Sequence, residues 1–326
     1  MNAVSEMLGE VLADEGGYHC RVQSIRPLTG GAAAQIFAVD ALLDGEPAPL
    51  ILRCGDETSQ FGNALQKRQE AEVIRAAFAA GLPVPEVLAI TPECGDVGAG
   101  FVMRRLGGES LPKRILTLPE LATARERLAR QCGEVLARLH AMPIAGLPLP
   151  RFSVAEDLAR YRQRYREFDE PIPIFELAFA WLAANPPRSR PPAPVHGDFR
   201  NGNILVDEQG LSGVLDWELA HIGNPVEDLG WLCVNSWRFA QVDQPVGGFG
   251  SKADLLAAYN TGQATPVTDD ELAYWEIFGV LKWGVLCLYQ CAVHLSGQQV
   301  SVERAAIGRR ISECEVDLIR LIEERT

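Results

Sequence analysis

The sequence predicts an α+β fold of two lobes: a small lobe built on an antiparallel β-sheet with one helix, then a larger, mostly helical lobe. Three observations carry this. Over the first hundred residues, apolar and β-branched residues fall in short runs broken by Gly, Asp and Pro, the pattern of strands. After Gly107 and Gly108 the apolar residues recur at helical spacing. The chain has 326 residues with 47% hydrophobic content, ample for two bodies. The boundary falls near 107–112, giving an N-terminal lobe of residues 1–107 and a C-terminal lobe of residues 108–326.

In chain order, VQSIRPL (22–28) reads as a strand, TGGAAA (29–34) as a small-residue turn and QIFAVDAL (35–42) as a second strand. Asp44-Gly45 is a hairpin signal, and PLILRC (49–54) is the returning strand. LQKRQEAEVIRAAFAA (65–80) has helical periodicity and stops at Gly81, with Pro83 and Pro85 beyond it. VLAI (87–90) and FVMRRL (101–106) complete the small lobe. Thr117 and Glu120 fit a capping box opening a helix to about Leu139, and Ser153 and Glu156 fit another for a helix through Phe168. The segment NPPRSRPPAP (185–194) is a rigid connector. ILV (204–206) and GVLD (213–216) are short strands. Thr268 and Glu271 open a long helix through about Leu295, and a last amphipathic helix runs from about Ser301 to Glu324.

The net charge of −13 points away from nucleic acid and anionic membranes as partners. The N-terminal MNAVSEMLGEVLADEGG has neither the basic region nor the apolar run of a signal peptide, and no apolar stretch of membrane-spanning length lacks charged or polar breaks. The eight cysteines are scattered without a C-x-x-C pair, and Cys287 and Cys291 share a helix face. Buried free thiols and a reducing, cytoplasmic compartment are the expectation.

The chemistry is concentrated in VHGDFRNGNILVDEQGLSGVLD (195–216). Asp198 precedes Asn203 by an Asp-x4-Asn spacing, and Asp216 closes a later apolar run. Moving a phosphoryl group from Mg·ATP to a hydroxyl needs a carboxylate to take the proton and oxygen ligands to hold Mg²⁺ against the phosphates. Asp198 is the candidate base; Asn203 and Asp216 are the candidate metal ligands. The spacing is that of a kinase catalytic loop, with His-Gly-Asp for His-Arg-Asp. His196 is expected to brace the loop by hydrogen bonds. Asn201 competes with Asn203 but breaks the spacing; Glu218 is either an extension of the metal or substrate site or a solvated carboxylate.

In the small lobe, backbone N–H groups around Gly30 and Gly31 can approach phosphates because the side chains there are small. Arg53 on the third strand is the candidate phosphate cation, paired with Glu70 on the following helix or, alternatively, Glu72; a guanidinium can bridge carboxylate and phosphate. Met103 to Leu106, with Arg105 between, is the candidate crossing that offers backbone groups to an adenine edge. Tryptophans 217, 231, 237, 275 and 283 read as core.

Together these residues resemble the aminoglycoside phosphotransferase family, which is similar in fold to eukaryotic protein kinases. His196, Gly197, Asp198, Asn203 and Asp216 match its HGD-x4-N and terminal Asp. GNPVEDLGWL places Asp228 where that family has a buried Asp bracing the catalytic loop. The C-terminal YWEIFGVLKWGVLCLYQ (274–290) and SVERAAIGRRISECEVDL (301–318) resemble the branch related to the kinase-like domain of certain acyl-CoA dehydrogenases, and Arg53 in place of lysine fits that branch. The resemblance implies a nucleotide-binding N-terminal lobe, a catalytic and substrate-binding C-terminal lobe, and an ATP-dependent, Mg²⁺-using kinase. The acceptor that the resemblance implies is a small-molecule hydroxyl, that of a hydroxyacyl-CoA or related metabolite. Asp216 is followed by Trp-Glu rather than Phe-Gly, which argues against a regulated protein kinase. The alternatives are an aminoglycoside 3′-type phosphotransferase, a metal-dependent hydrolase using His196 and Asp198, and a non-catalytic nucleotide-binding module.

Overall fold

A computed structural model describes residues 2–28, 35–55, 64–93 and 97–325. The turn holding Gly30 and Gly31, and Cys94, lie outside them. Strands β1 (Cys20–Leu28), β2 (Gln35–Leu43) and β3 (Glu46–Cys54) form an antiparallel meander; β4 (Val87–Thr91) and β5 (Gly100–Arg104) complete a five-stranded sheet of order β1-β2-β3-β5-β4. Leu43 faces Glu46 across the two-residue Asp44-Gly45 turn, as that dipeptide predicts.

Alternation along β3 sorts its side chains. Leu50 and Leu52 are buried in one cluster with Leu8 and Leu12 of α1 (Asn2–Asp14), a helix that the sequence patterning does not place. Arg53 falls on the opposite face, towards α2 (Lys67–Ala79), whose Val73 and Ile74 join Phe101 in the main core. β5 ends at Arg104, two residues before the expected limit. Beyond it, Glu109 pairs with Val206, so the chain leaving the sheet docks on a hairpin of the helical lobe.

Helix α3 (Pro112–Thr117) and a 3-10 turn (Pro119–Leu121) precede α4 (Ala122–His140). The capping box expected at Thr117 and Glu120 is absent. Thr117 Oγ1 donates back to Lys113 O at 2.7 Å, and Pro119 holds Leu118 extended, so the long helix starts only at Ala122. The box at Ser153 and Glu156 does form and opens α5 (Val154–Arg166), followed by α6 (Pro173–Ala184). The box at Thr268 and Glu271 opens α9 (Asp269–Leu295). Between them stand α7 (Val226–Cys233) and α8 (Lys252–Tyr259). The last helix is two: α10 (Val302–Gly308) and α11 (Ile311–Glu323). Gly308 lies so close to α9 that a Cβ there would be 2.8 Å from that of Cys291, and the helix breaks just after it.

By length and composition α9 could cross a membrane. Here it is packed by α6, α7, α10 and α11, and its central Glu276 and Lys282 are buried in ion pairs.

Candidate active site

Two small two-stranded sheets bring the chemistry together. β6 (Ala193–Val195) pairs with β9 (His221–Gly223), and β7 (Ile204–Asp207) pairs with β8 (Gly210–Val214). The loop 196–203 runs from β6 to β7, and the segment 215–220 runs from β8 to β9. Leu215 N–H donates to Asn203 O at 2.8 Å, which extends the β7–β8 register by one step. Asn203 and Asp216 therefore stand at neighbouring strand ends, with Asp198 at the bend between β6 and β7.

The loop is held by its backbone. Asp228 on α7, fully buried, accepts the N–H groups of His196 at 2.8 Å and Gly197 at 2.9 Å. Its Oδ2 also lies 3.1 Å from His140 Nε2. His196 Nε2–H donates to Leu215 O at 3.0 Å, and its Nδ1 accepts from the Asp198 N–H at 3.2 Å. Both ring nitrogens are thus committed, which sets the neutral Nε2–H tautomer and gives His196 the bracing role expected of it. It also removes His196 as a metal ligand, and the hydrolase reading with it. Gly197 has φ +80°, and a Cβ there would lie 2.5 Å from Leu219 O, so the middle residue of the motif must be glycine.

Asp198 Oδ2 accepts from Asn203 Nδ2 at 2.5 Å, and that nitrogen also lies 2.9 Å from Asp198 O. Oδ1 accepts from Arg200 Nε at 2.9 Å and from Trp231 Nε1 at 2.8 Å. Asn201 is buried and its amide nitrogen donates to Gly247 O at 2.8 Å. Asn203 commits only its nitrogen, leaving Oδ1 as a hard donor of the kind Mg²⁺ prefers. Asp216 keeps a third of its side chain exposed and sits at φ +66°, a left-handed conformation uncommon outside glycine and found at functional sites.

Arg53 crosses from the sheet to this centre. Its Nε lies 2.9 Å from Glu70 Oε1, and its Nη2 lies 2.7 Å from Asp216 Oδ1 and 2.9 Å from Glu218 Oε2. Glu70, not the exposed Glu72, is the partner on α2, and it holds Lys67 Nζ as well, at 3.1 Å. Burial would push the Asp216 carboxyl up, but the charge and hydrogen bond of Arg53 hold it below the usual range. Glu218 moves the other way, to about 7, because burial and the nearby Asp216 charge outweigh Arg53. Leu65 N–H donates to Glu218 O at 2.7 Å, tying the approach to α2 to this segment.

The expected adenine crossing is partly committed. Arg105 N–H donates to Pro49 O at 3.0 Å and its side chain faces Asp40 at 3.9 Å; Met103 pairs with Ile51 inside the sheet. Leu106 Cδ1 would meet a Cβ on Gly213 at 3.0 Å, so it packs over the β7–β8 hairpin. Trp217, Trp237 and Trp275 are core residues. Trp231 is buried too, but its contact with Asp198 was not legible: nothing in the spacing of a lone Trp on α7 points to a residue 33 positions back.

Residues 24–264 match the phosphotransferase enzyme family. Over 179 residues the chain is 34% identical to acyl-CoA dehydrogenase family member 11 of Gallus gallus, covering 52% of this chain and 23% of that protein. The Rattus norvegicus protein of the same name is 29% identical over 244 residues, 71% of this chain and 30% of its own length. The chain thus spans about a quarter of the length of these curated relatives. A crystal structure of a Ralstonia eutropha JMP134 protein assigned to the aminoglycoside phosphotransferases superposes with TM-score 0.77 at 20% identity, covering 99% of this chain and 98% of that one. The GDP and kanamycin complex of APH(2'')-IIia superposes with TM-score 0.64 at 19% identity over 99% of both chains. The fold is protein-kinase-like, with the five-stranded sheet as N-terminal lobe and the helices as C-terminal lobe. The match over residues 24–264, most of the sequence, makes this chain a member of the phosphotransferase enzyme family.

Proposed function

We propose that the chain transfers the γ-phosphoryl group of Mg·ATP to the hydroxyl of a hydroxylated metabolite, and that a hydroxyacyl thioester is its acceptor class. Asp198 is the base: the acceptor oxygen attacks the γ-phosphorus, its proton passes to the Asp198 carboxylate, and ADP leaves. Asn203 Oδ1 and the Asp216 carboxylate are the oxygens that would hold Mg²⁺, which when bound neutralises phosphate charge. Arg53, already spanning Glu70 and Asp216, is the cation for the phosphates.

The observation that carries the acceptor class is the set of relatives. The matched segment is about a quarter of proteins named for acyl-CoA dehydrogenase, so a phosphotransferase segment shares a chain with enzymes of that name. The net charge of −13 gives polycationic sugars the faster encounter, and this term is screened by salt.

An acceptor screen coupled to ADP release tests the reading. Hydroxyacyl-CoAs, kanamycin, choline and homoserine are compared at equal concentration and at about 150 mM salt, where the Debye length is about 8 Å. The highest kcat/KM for a hydroxyacyl-CoA is expected. Preference for kanamycin would overturn the acceptor class and leave the phosphotransferase chemistry intact.

A further inference from the structure

An ionised carboxylate offers about four acceptor positions, two on each oxygen. On Asp198, Oδ1 is filled twice, by Arg200 Nε at 2.9 Å and Trp231 Nε1 at 2.8 Å. Oδ2 is filled once, by Asn203 Nδ2 at 2.5 Å. The position left for an incoming hydroxyl proton is therefore on Oδ2. We propose that Trp231 is a positioning residue for phosphoryl transfer: by gripping Oδ1 of Asp198 it turns the open side of Oδ2 towards the acceptor. This rests on the reading of Asp198 as the base.

The two donors on Oδ1 differ in permanence. Arg200 is long, a quarter exposed, and lies over the Trp237 ring with its guanidinium carbon 4.6 Å from the centroid. Trp231 is 4% exposed, has only two side-chain torsions and sits on a helix packed closely on α9. A Cβ on Gly230 would fall 2.4 Å from that of Trp275, so α7 and α9 touch backbone to side chain there. A Cβ on Gly279 would meet Trp231 Cε3 at 3.5 Å, and the Trp237 ring centroid is 5.2 Å from that of Trp231. The indole is boxed in.

Trp231 also follows Asp228 by three residues, which puts both on one face of α7. Asp228 holds the loop backbone through the N–H groups of His196 and Gly197; Trp231 holds the carboxylate of the next residue. One helix face thus fixes both the main chain and the side chain of the base. A rotated carboxylate would still leave the loop folded and the nucleotide site intact, so the contribution falls on turnover rather than on ATP binding.

The test uses the full chain with water as the only acceptor, reading ADP release against ATP concentration. Trp231→Phe keeps the ring and loses the donor, and should lower kcat on the order of ten-fold with the KM for ATP within about two-fold of wild type. Trp231→His, which keeps a ring N–H, should recover part of that loss. Trp275→Phe is the packing control, because its indole nitrogen is buried without a partner among the described residues; it should behave as wild type. Asp198→Asn separates the two ideas. If it turns over like wild type, the base assignment fails and the inference with it. If it is inactive while Trp231→Phe keeps the wild-type kcat, or while Trp231→Phe and Trp275→Phe decline together, the positioning role alone is overturned.

Discussion

Arg53 and Asp216 are 163 residues apart in the chain and 2.7 Å apart in space, Nη2 to Oδ1. This one contact joins the sheet of the small lobe to the metal-ligand candidate of the large one. The same guanidinium holds Glu70 on α2, so a single buried side chain sets the helix, the strand and the catalytic segment relative to each other. A carboxylate trio of Glu70, Asp216 and Glu218 around one Arg keeps the guanidinium protonated against its burial.

Arg53→Ala should raise the KM for ATP on the order of 10–100-fold, as expected for losing charge-assisted contacts. Lys67 remains on Glu70, so α2 should stay in place and the protein should fold. Arg53→Lys should recover part of the loss, since one ammonium reaches Glu70 or Asp216 but not both in the fork geometry. Wild-type kinetics for Arg53→Ala would move the phosphate cation elsewhere.

Asp216→Ala should weaken Mg·ATP binding by at least about ten-fold (about 1.4 kcal/mol), and by more than Asn203→Ala does. A carboxylate brings full charge to the metal and an amide only a dipole. Asn203→Ala should instead cost turnover in addition, because Asn203 Nδ2 also holds Asp198 Oδ2. Calorimetric titration of Mg·ATP, set beside kcat for each variant, separates the two effects. Equal affinity for Asp216→Ala and wild type would exclude Asp216 from the metal site.

His221 gives a pH-dependent stability. Its Nδ1 lies 3.0 Å from Leu219 O and its Nε2 lies 3.2 Å from Glu227 Oε2, two acceptors that together require the doubly protonated ring. Burial pushes the imidazole pKa down, but the Glu227 carboxylate pulls it up and prevails. An unfolded histidine titrates at about 6.5. With the folded value higher, the stabilisation is full below that pH and is lost as pH rises through the folded value. Thermal midpoints of the wild type should therefore fall as the pH is raised above about 6.5, and those of His221→Gln should fall less. Parallel curves for the two proteins would refute the charged ring.

By itself the sequence determined the two-lobed α+β plan, the β1–β3 meander with its Asp44-Gly45 turn, and the Ser153 and Thr268 caps. It also determined the spacing of Asp198, Asn203 and Asp216. These are local: a strand or helix face repeats every two or 3.6 residues, and a cap or turn is completed within four. The tertiary structure decided the rest. It selected Glu70 over Glu72, committed Arg105 N–H to Pro49, delayed α4 to Ala122, split the last helix after Gly308 and placed α1 on the sheet. Above all it brought Trp231 to Asp198 and Arg53 to Asp216. Such pairings join residues tens to hundreds of positions apart. They depend on how closely α7 packs on α9 and how the sheet meets the β7–β8 hairpin, and neither leaves a periodic trace in the chain.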